Sequence, residues 1–465
     1  MTLWSGRFDT APDEDAFQFG VSLRFDRRLF REDVEGSLAW VETLAKIDVL
    51  TRTDAVALTA ALDDILEHGT RDPSFLDGPD EDIHSFVERQ LVERVGEAGK
   101  RLHTGRSRNE QVSLDLRLYL KRRIRALRSL VLDLASALLD QAERAGEALM
   151  PAYTHTRRAQ PVLVAHFFLA HVAAMQRDVD RLAEAIKEAD VLPLGSGAIA
   201  GTSYEIDTEA LAARLGFSRV VANSLDASSD RDFVSSFLHA CALAMMHLSR
   251  LAADLILFSG EEYRFFDLAD ASATGSSMMP QKKNPDPLEL ARGKTGRVVG
   301  HLVGWLTTMK GLPSGYNRDL QEDKEAVFDT EDTLAAALRA SRSVVAGLQL
   351  DAARTAHAAS GLLLATEVAD YLVARGMPFR QAHEVVGALA RRLVGEGRDF
   401  GALSLDEWRR ASGLFGDDIQ TRVRPEASVR ARRTPQSTHP AAVAASLARA
   451  RAWLAACRGD ALPGR

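Results

Sequence analysis

Apolar residues recur every three or four positions along most of this chain. One such stripe consists of Ile124, Leu127, Val131, Leu134, Leu138, Ala142 and Ala145. This spacing puts side chains on one face of an α-helix, whereas the period-two alternation of strands is scarce. The pattern predicts an all-α protein.

Helices in the middle third of the chain are apolar on more than one face. The longest apolar stretch, about residues 238–258, also contains His239, His247, Arg250 and Asp254. These polar side chains disfavour a membrane span. A helix that is apolar on several faces needs neighbours on several sides, so the stretch predicts a large bundle built from more than one chain.

Length and charge narrow the class of protein. A chain of 465 residues suggests two or three domains, and we place them at 1–105 (N-terminal, helical), 106–358 (central, long helices) and 359–465 (C-terminal, helical). The net charge is −7 and no long basic run is present, which argues against nucleic acid as a partner.

Two features predict a cytoplasmic location. The chain has only two cysteines, Cys241 and Cys457, and a low cysteine content fits a reducing compartment. Residues 1–7 contain no apolar segment of the kind that a secretory signal needs.

The most informative stretch is the polar segment 275–286. Gly275, Pro280 and Pro285 interrupt any helix there. The segment contains no His or Cys for a transition metal and no phosphate-binding glycine–lysine pattern. Its hydroxyls, amides and ammonium groups suit proton transfer and carboxylate binding, and a solvated surface loop is the alternative.

This segment resembles the signature loop of the fumarase/aspartase superfamily, and its 281–286 portion is similar to that of the argininosuccinate lyases. It lacks the Gly-Lys-Val-Asn of fumarases and the Tyr-Lys-Arg-Asn of adenylosuccinate lyases. Four further stretches carry the same resemblance, and with the loop they span about half of the chain. They are residues 81–84, 104–111, 153–161 and 316–325.

The resemblance implies a fold, an assembly and a reaction. The fold would have three mainly helical domains, with the long helices of four subunits forming a twenty-helix core. Each active site of this homotetramer would be shared by three subunits. The reaction would be the reversible β-elimination of argininosuccinate to L-arginine and fumarate, the last step of arginine biosynthesis. No cofactor, metal, nucleic acid or membrane is implied.

The resemblance also assigns catalytic roles. Ser276 would be the base, with carboxylate binding alone as the alternative, while Lys282 and Asn284 would stabilise the resulting dianion. Thr154 would bind a substrate carboxylate, and His155 would donate a proton directly or through water. Glu289 would orient the ring of His155. Without the motif, His155 would be a capping or core histidine.

Six further residues are expected to bind substrate. They are Ser22, Arg108, Asn109, Tyr316, Gln321 and Lys324. Gly20 and Val21 depart from the family pattern around Ser22, and Glu205 replaces an expected proline in a loop without an assigned role.

Several charged residues are expected to be less important. Arg101, Arg106 and Lys283 would be surface charges, and Asp323 would be an exposed helical acid or a contact of the substrate guanidinium. Gln160 would be structural or would support the residues that touch substrate.

Three other functions remain open at this point. The chain could be a different superfamily lyase acting on a succinyl-amine. It could be an inactive structural relative of the kind found as lens crystallins. A non-enzymatic helical scaffold is the third, but it leaves segment 275–286 unexplained.

Overall fold

The structure, a computed structural model, describes residues 13–459. Residues 1–7, on which the expectation of no secretory signal rests, lie outside the described residues. The described part is mainly helical, which confirms the predicted fold class.

Six helices form the N-terminal part of the described chain. They are α1 (Glu14–Gly20), α2 (Leu23–Asp26), α3 (Phe30–Lys46), α4 (Arg52–Arg71), α5 (Ile83–Val95) and α6 (Glu97–Arg101). Side-chain caps fix three of their starts. The amides of Ala16, Asp54 and Ser85 donate to the side chains of Asp13, Thr51 and Asp82, respectively. The cap at Asp82 begins α5 beside the candidate site.

The middle of the chain contains the long helices. The helices there are α7 (Arg108–Ala145), α8 (Val164–Ala189), α9 (Thr208–Leu215), α10 (Ser224–Ser229), α11 (Asp232–Ser259), α12 (Asp286–Met309), α13 (Glu322–Gly347) and α14 (Ala352–Ala358). Five of them, α7, α8, α11, α12 and α13, have at least 24 residues. The predicted stripe lies on α7 and is buried from Ile124 to Ala142, while Ala145 is half-buried at the helix end.

Helix α11 is long and apolar enough to cross a membrane by length and composition, and no other described helix is. It packs against α8, α12 and α13. Most of its apolar side chains belong to the protein core, as expected for the inner helix of a bundle.

Four small two-stranded sheets interrupt the described helices. The strands are β1 (Leu149–Thr154), β2 (Arg157–Leu163), β3 (Val191–Leu192), β4 (Arg219–Val220), β5 (Phe266–Asp267), β6 (Thr274–Gly275), β7 (Lys283–Asn284) and β8 (Gln349–Leu350). Strands β1 and β2 form an antiparallel hairpin, and so do β6 and β7. We call the first the histidine hairpin and the second the serine hairpin, after His155 and Ser276 at their turns.

The C-terminal part has six helices and its own core. They are α15 (Ala365–Val373), α16 (Phe379–Glu396), α17 (Leu405–Ala411), α18 (Ile419–Arg422), α19 (Pro425–Ala431) and α20 (Pro440–Gly459). A separate apolar cluster covers residues 363–423. Helix α20 instead returns to the central bundle, where Arg451 pairs with Asp140 and Glu143 of α7. The domain limits at 105 and 358 stay a prediction.

Candidate active site

Five of the six predicted substrate-binding residues line one cavity of about 200 Å³, which we call the substrate cavity. They are Arg108, Asn109, Tyr316, Gln321 and Lys324. The sixth, Ser22, lies behind the wall, where its hydroxyl donates to Asp26 at 2.5 Å. Because Asp26 lines the cavity, the structure brings all six together from three separate parts of the chain.

Arg108 occupies the first turn of α7. Ser107 and Glu110 cap that turn reciprocally in a capping box. The Arg108 guanidinium donates to Asp82 at 3.4 Å and to Glu88 at 3.2 Å, and its buried Nε has no hydrogen-bond partner among the described residues. The side chain is therefore held in place with donor capacity left for a carboxylate.

Lys324 belongs to a buried chain of charges. Its ammonium group donates to Asp323 at 2.8 Å, and Asp323 also accepts from Arg231 at 2.9 Å. All three side chains are at most 2% exposed. The expectation that Asp323 is an exposed helical acid was therefore wrong, because its carboxylate neutralises two buried cations. Asp323 fixes the position of Lys324 at the cavity wall.

Arg318 joins two walls of the substrate cavity. In the 3-10 turn Arg318–Gln321 its Nε donates to the Gln321 side chain at 2.8 Å. The same guanidinium donates to the Gly20 carbonyl at 2.9 Å and pairs with Glu81. Tyr316 begins this loop, and burial raises the pKa of its hydroxyl.

Five polar or charged lining residues have no role predicted from the sequence: Asp26, Glu81, Asp82, His84 and Arg318. Four of them lie in stretches that carry the family resemblance, so motif membership was the available signal. Burial raises the pKa of Asp26 from 3.8 to about 7, against the opposing hydrogen bond from Ser22.

A buried ionic cluster lies behind the cavity. His84 Nδ1 is 2.8 Å from Asp33 and 3.2 Å from Asp115. Burial raises the pKa of both aspartates, and the neighbouring Asp33 carboxylate raises the pKa of Asp115 further. Arg106 is buried beside them, and burial lowers its pKa. Arg106 is thus not the predicted surface charge, whereas Arg101 is one, paired with Asp54.

Donor atoms of Asp33, His84 and Asp115 lie within 4.8 Å of one another, a spacing that a metal ion would fit. The Arg106 guanidinium already supplies positive charge to the two carboxylates. The donor set therefore has a counter-charge of its own.

The serine hairpin presents the second predicted group. Thr274 pairs with Asn284 and Gly275 with Lys283. Between them, Ser276 Oγ accepts hydrogen bonds from the amides of Met278 at 3.3 Å and Met279 at 3.0 Å. The segment is thus the predicted polar loop, and its serine oxygen already faces two N–H donors.

The remaining residues of this group are accessible. Lys282 and Glu289 are exposed, and Asn284 is half-buried. Lys283 forms ion pairs with Asp267 and Asp270 at 3.3 and 2.9 Å, and its side chain is 34% exposed, in keeping with the expected surface charge.

The histidine hairpin presents the third group. His155 and Thr156 form its two-residue turn, with φ values of 52° and 57°. A turn with two positive φ values favours glycine or asparagine, so His155 and Thr156 are strained there. Thr154 and His155 are both exposed. The predicted pairing of His155 with Glu289 is not formed within the described residues of one chain.

The three groups stay separate in one subunit. The substrate cavity is lined by no residue of either hairpin. A single chain therefore contains every predicted residue but does not gather them into one site.

Comparisons with known proteins give a consistent result. A model described as "Lyase" matches residues 6–300, and one described as "Argininosuccinate lyase C-terminal" matches residues 362–430. The argininosuccinate lyase of Moorella thermoacetica is 49% identical over 98% of both chains. That of Roseiflexus castenholzii is 48% identical over 97% of this chain and 99% of its own.

Solved structures share the fold. EDDS lyase in complex with formate is 27% identical with a TM-score of 0.83, covering 97% of this chain and 93% of its own. A class II fumarase from Schistosoma mansoni is 16% identical with a TM-score of 0.75, covering 88% and 92%. The fumarase likeness concerns the fold alone.

Proposed function

We propose that this chain divides one reaction between its substrate cavity and its two hairpins. The chain belongs to the argininosuccinate lyase family of the fumarase/aspartase superfamily. The reaction is the reversible β-elimination of argininosuccinate to L-arginine and fumarate. It breaks a carbon–nitrogen bond and needs a base, an acid and a strong carboxylate-binding surround.

The substrate cavity holds the substrate. Its wall contains three carboxyl groups and three cationic side chains, which are Asp26, Glu81, Asp82, Arg108, Arg318 and Lys324. Argininosuccinate carries carboxylates together with a guanidinium and an ammonium group, so it requires both signs of charge in one pocket. This mixed-charge wall is the observation on which the proposal mainly rests.

The serine hairpin removes the proton. Ser276 is a weak base as a neutral hydroxyl, but two amide donors at its oxygen favour the alkoxide. Lys282 and Asn284 stabilise the dianion that forms when the carbon next to the carboxylate loses its proton. The accessibility of these residues leaves them free to meet substrate held by another subunit.

The histidine hairpin supplies the acid. Histidine donates a proton near neutral pH, and Thr154 next to His155 binds a substrate carboxylate. Glu289 of a neighbouring subunit orients the His155 ring. His155 acts on the departing nitrogen either directly or through a water molecule.

The assembly is a homotetramer whose active sites are each built from three subunits. Five long helices per subunit, taken four times, make a core of twenty. Helix α12 supports this with an uncovered apolar face made of Val299, Val303 and Leu306, each at least 40% exposed. On the same helix, open space surrounds Gly293, Gly296, Gly300 and Gly304, where another helix can approach closely.

Mixing inactive chains tests the shared site. Ser276→Ala and Arg108→Gln chains should each be inactive alone. When they are unfolded together and reassembled, about a quarter of the sites should combine an intact serine hairpin with an intact cavity. Recovered fumarate formation, followed by ultraviolet absorbance, checks this. A mixture as inactive as its parents would show that each chain builds its own site.

Substrate choice has its own assay. Argininosuccinate, adenylosuccinate, malate and aspartate are supplied in turn, and fumarate is measured. Release from argininosuccinate alone is expected. We also propose a cytoplasmic location, which the low cysteine content of the chain supports, with two cysteines in 465 residues.

A further inference from the structure

A second cavity lies beside the turn end of the histidine hairpin and shares no lining residue with the substrate cavity. It has a volume of about 710 Å³. Its wall is formed by the hairpin, by the turn after α11 and by α14. Four basic side chains line it, namely Arg157, Arg158, Arg354 and His357, against one acid, Glu262. We call it the arginine cavity.

The arginines of this cavity lack acidic partners. Within residues 13–459, no carboxylate lies in ion-pair contact with Arg157, Arg158 or Arg354. By contrast, the two arginines that line the substrate cavity, Arg108 and Arg318, each pair with a carboxylate. An uncompensated group of three guanidinium groups around one concave surface raises the local concentration of anions.

One arginine is already fixed in position. Arg354 donates through Nε to the Tyr263 carbonyl at 2.5 Å and through a terminal nitrogen to the Glu262 carbonyl at 3.2 Å. Backbone acceptors hold the guanidinium without neutralising its charge. The side chain therefore needs little further ordering to bind an anion.

Aromatic side chains complete the wall. The Tyr153 ring packs at 5.6 Å from Phe258 and 5.8 Å from Tyr263, centroid to centroid. Arg158 lies beside the Tyr153 hydroxyl and lowers its pKa, while burial, the larger effect, raises it. The cavity thus offers a placed hydroxyl donor as well as guanidinium groups.

We propose that the arginine cavity binds a small multivalent oxyanion, either a phosphate or a dicarboxylate. Planar guanidinium groups bind both through paired hydrogen bonds. Arg157 and Arg158 begin β2, directly after the strained turn at His155 and Thr156. An anion that draws these arginines toward Arg354 restrains the turn, so occupancy reduces the motion of the histidine hairpin. The binding site itself does not depend on the proposed function.

Calorimetric titration of the intact protein tests binding. Inorganic phosphate and succinate are the two probes, and the tighter one identifies the oxyanion class. Arg354→Gln and Arg158→Gln should each weaken binding about tenfold, the loss expected for one charge-assisted pair. The Arg158 side chain donates to no backbone carbonyl within residues 13–459, unlike that of Arg354. Its variant therefore keeps the test valid where Arg354→Gln disturbs folding. Arg391→Gln, at an exposed arginine of α16, is the control and should bind as the parent does.

The substrate cavity also attracts anions, so Arg108→Gln is titrated in parallel. Anion binding lost in Arg108→Gln but intact in both arginine-cavity variants would overturn the proposal, as would no measurable binding of either probe. Hydrogen exchange then tests the coupling. The bound probe should slow exchange of the amides in residues 149–163 in the parent but not in Arg354→Gln, and unchanged exchange on binding would refute the restraint of the hairpin.

Discussion

The substrate cavity and the two hairpins hold their functional residues in opposite ways. In the cavity, the charged side chains are held by partners of opposite charge, as Lys324 is by the buried Asp323, which also pairs with Arg231. On the hairpins, Ser276, Lys282 and His155 are placed by backbone conformation and remain accessible. The proposed binding residues thus also help to stabilise the fold, whereas the proposed catalytic residues do not.

This difference has a physical reason. A charged substrate must be desolvated among several charges at once, which requires a preorganised polar wall. Under the proposed sharing of sites, residues that react with a substrate held by another subunit must instead project from their own subunit. The two regions should therefore respond differently to substitution, in activity and in stability.

The largest effect is expected at the serine hairpin. Ser276→Ala removes the proposed base, and general-base catalysis contributes about 10²- to 10⁴-fold, so turnover should fall by that factor. Its thermal midpoint should match that of the parent, since the hydroxyl accepts only two bonds in an accessible turn. Ser277→Ala, at the next residue, is the matched control and should keep most of the turnover. Near-parental turnover of Ser276→Ala would remove Ser276 as the base.

A pair of lysine variants compares the regions directly. Lys324→Met removes one partner from a buried chain of charges, which lowers the free energy of unfolding by about 3–5 kcal/mol. We expect a loss near the lower end of this range, because Arg231 still pairs with Asp323. We expect a lower thermal midpoint together with a raised KM. Lys282→Met should lower kcat without changing the midpoint, because Lys282 is exposed. Calorimetry and steady-state kinetics measure both, and equal midpoints for the two variants would contradict the comparison.

The sequence predicted which residues lie together at the cavity wall far better than it predicted their surroundings. Five predicted binders share one wall although Arg108 and Tyr316 are far apart in the chain, because the motif positions carry that information. The burial of the Arg106 and Asp323 side chains could not be predicted from the sequence. Asp323 meets Arg231, 92 positions away, and no local pattern marks such a pair. Likewise, a Gly- and Pro-containing loop was predictable, but not the two amides that face Ser276.

Asp26 provides a test based on pH. Its pKa in the folded state is about 7, against an ordinary value of 3.8, so the folded protein keeps a proton that the unfolded chain releases. The protonated Asp26 contributes its full stabilisation below about pH 4, and this stabilisation is lost as the pH rises through 7. Its size is about 1.4 kcal/mol for each unit by which the folded and unfolded pKa values differ. Asp26→Asn should lack this decline and be the more stable protein at pH 8. Urea unfolding at fixed protein concentration, from pH 4 to 8, measures it.

The control for that experiment is Asp77→Asn, at an aspartate that is 65% exposed and paired with Arg27. Its stability should follow that of the parent across the range, because this variant keeps Asp26. Glu32 and Glu110, whose pKa values burial also raises to about 7, are present in all three proteins and contribute equally to each profile. Parallel profiles for the parent and Asp26→Asn would show that Asp26 is ionised in the folded cavity.

The smallest effect is expected at the turn of the histidine hairpin. Thr156 has a β-branched side chain at a φ of 57°, and a left-handed conformation costs a residue other than glycine about 1–2 kcal/mol. Thr156→Gly should remove this backbone strain and so stabilise the folded protein. Glycine also gives the unfolded chain more conformational freedom, which offsets part of that stabilisation. The net gain should be about 0.5–1 kcal/mol, measured by urea unfolding. Thr156→Ala keeps a Cβ in the same conformation and should show no such gain; equal stabilisation by alanine would locate the effect elsewhere than in backbone strain. His155 bears the same strain but cannot be relieved in this way, since its imidazole is the group that the hairpin presents.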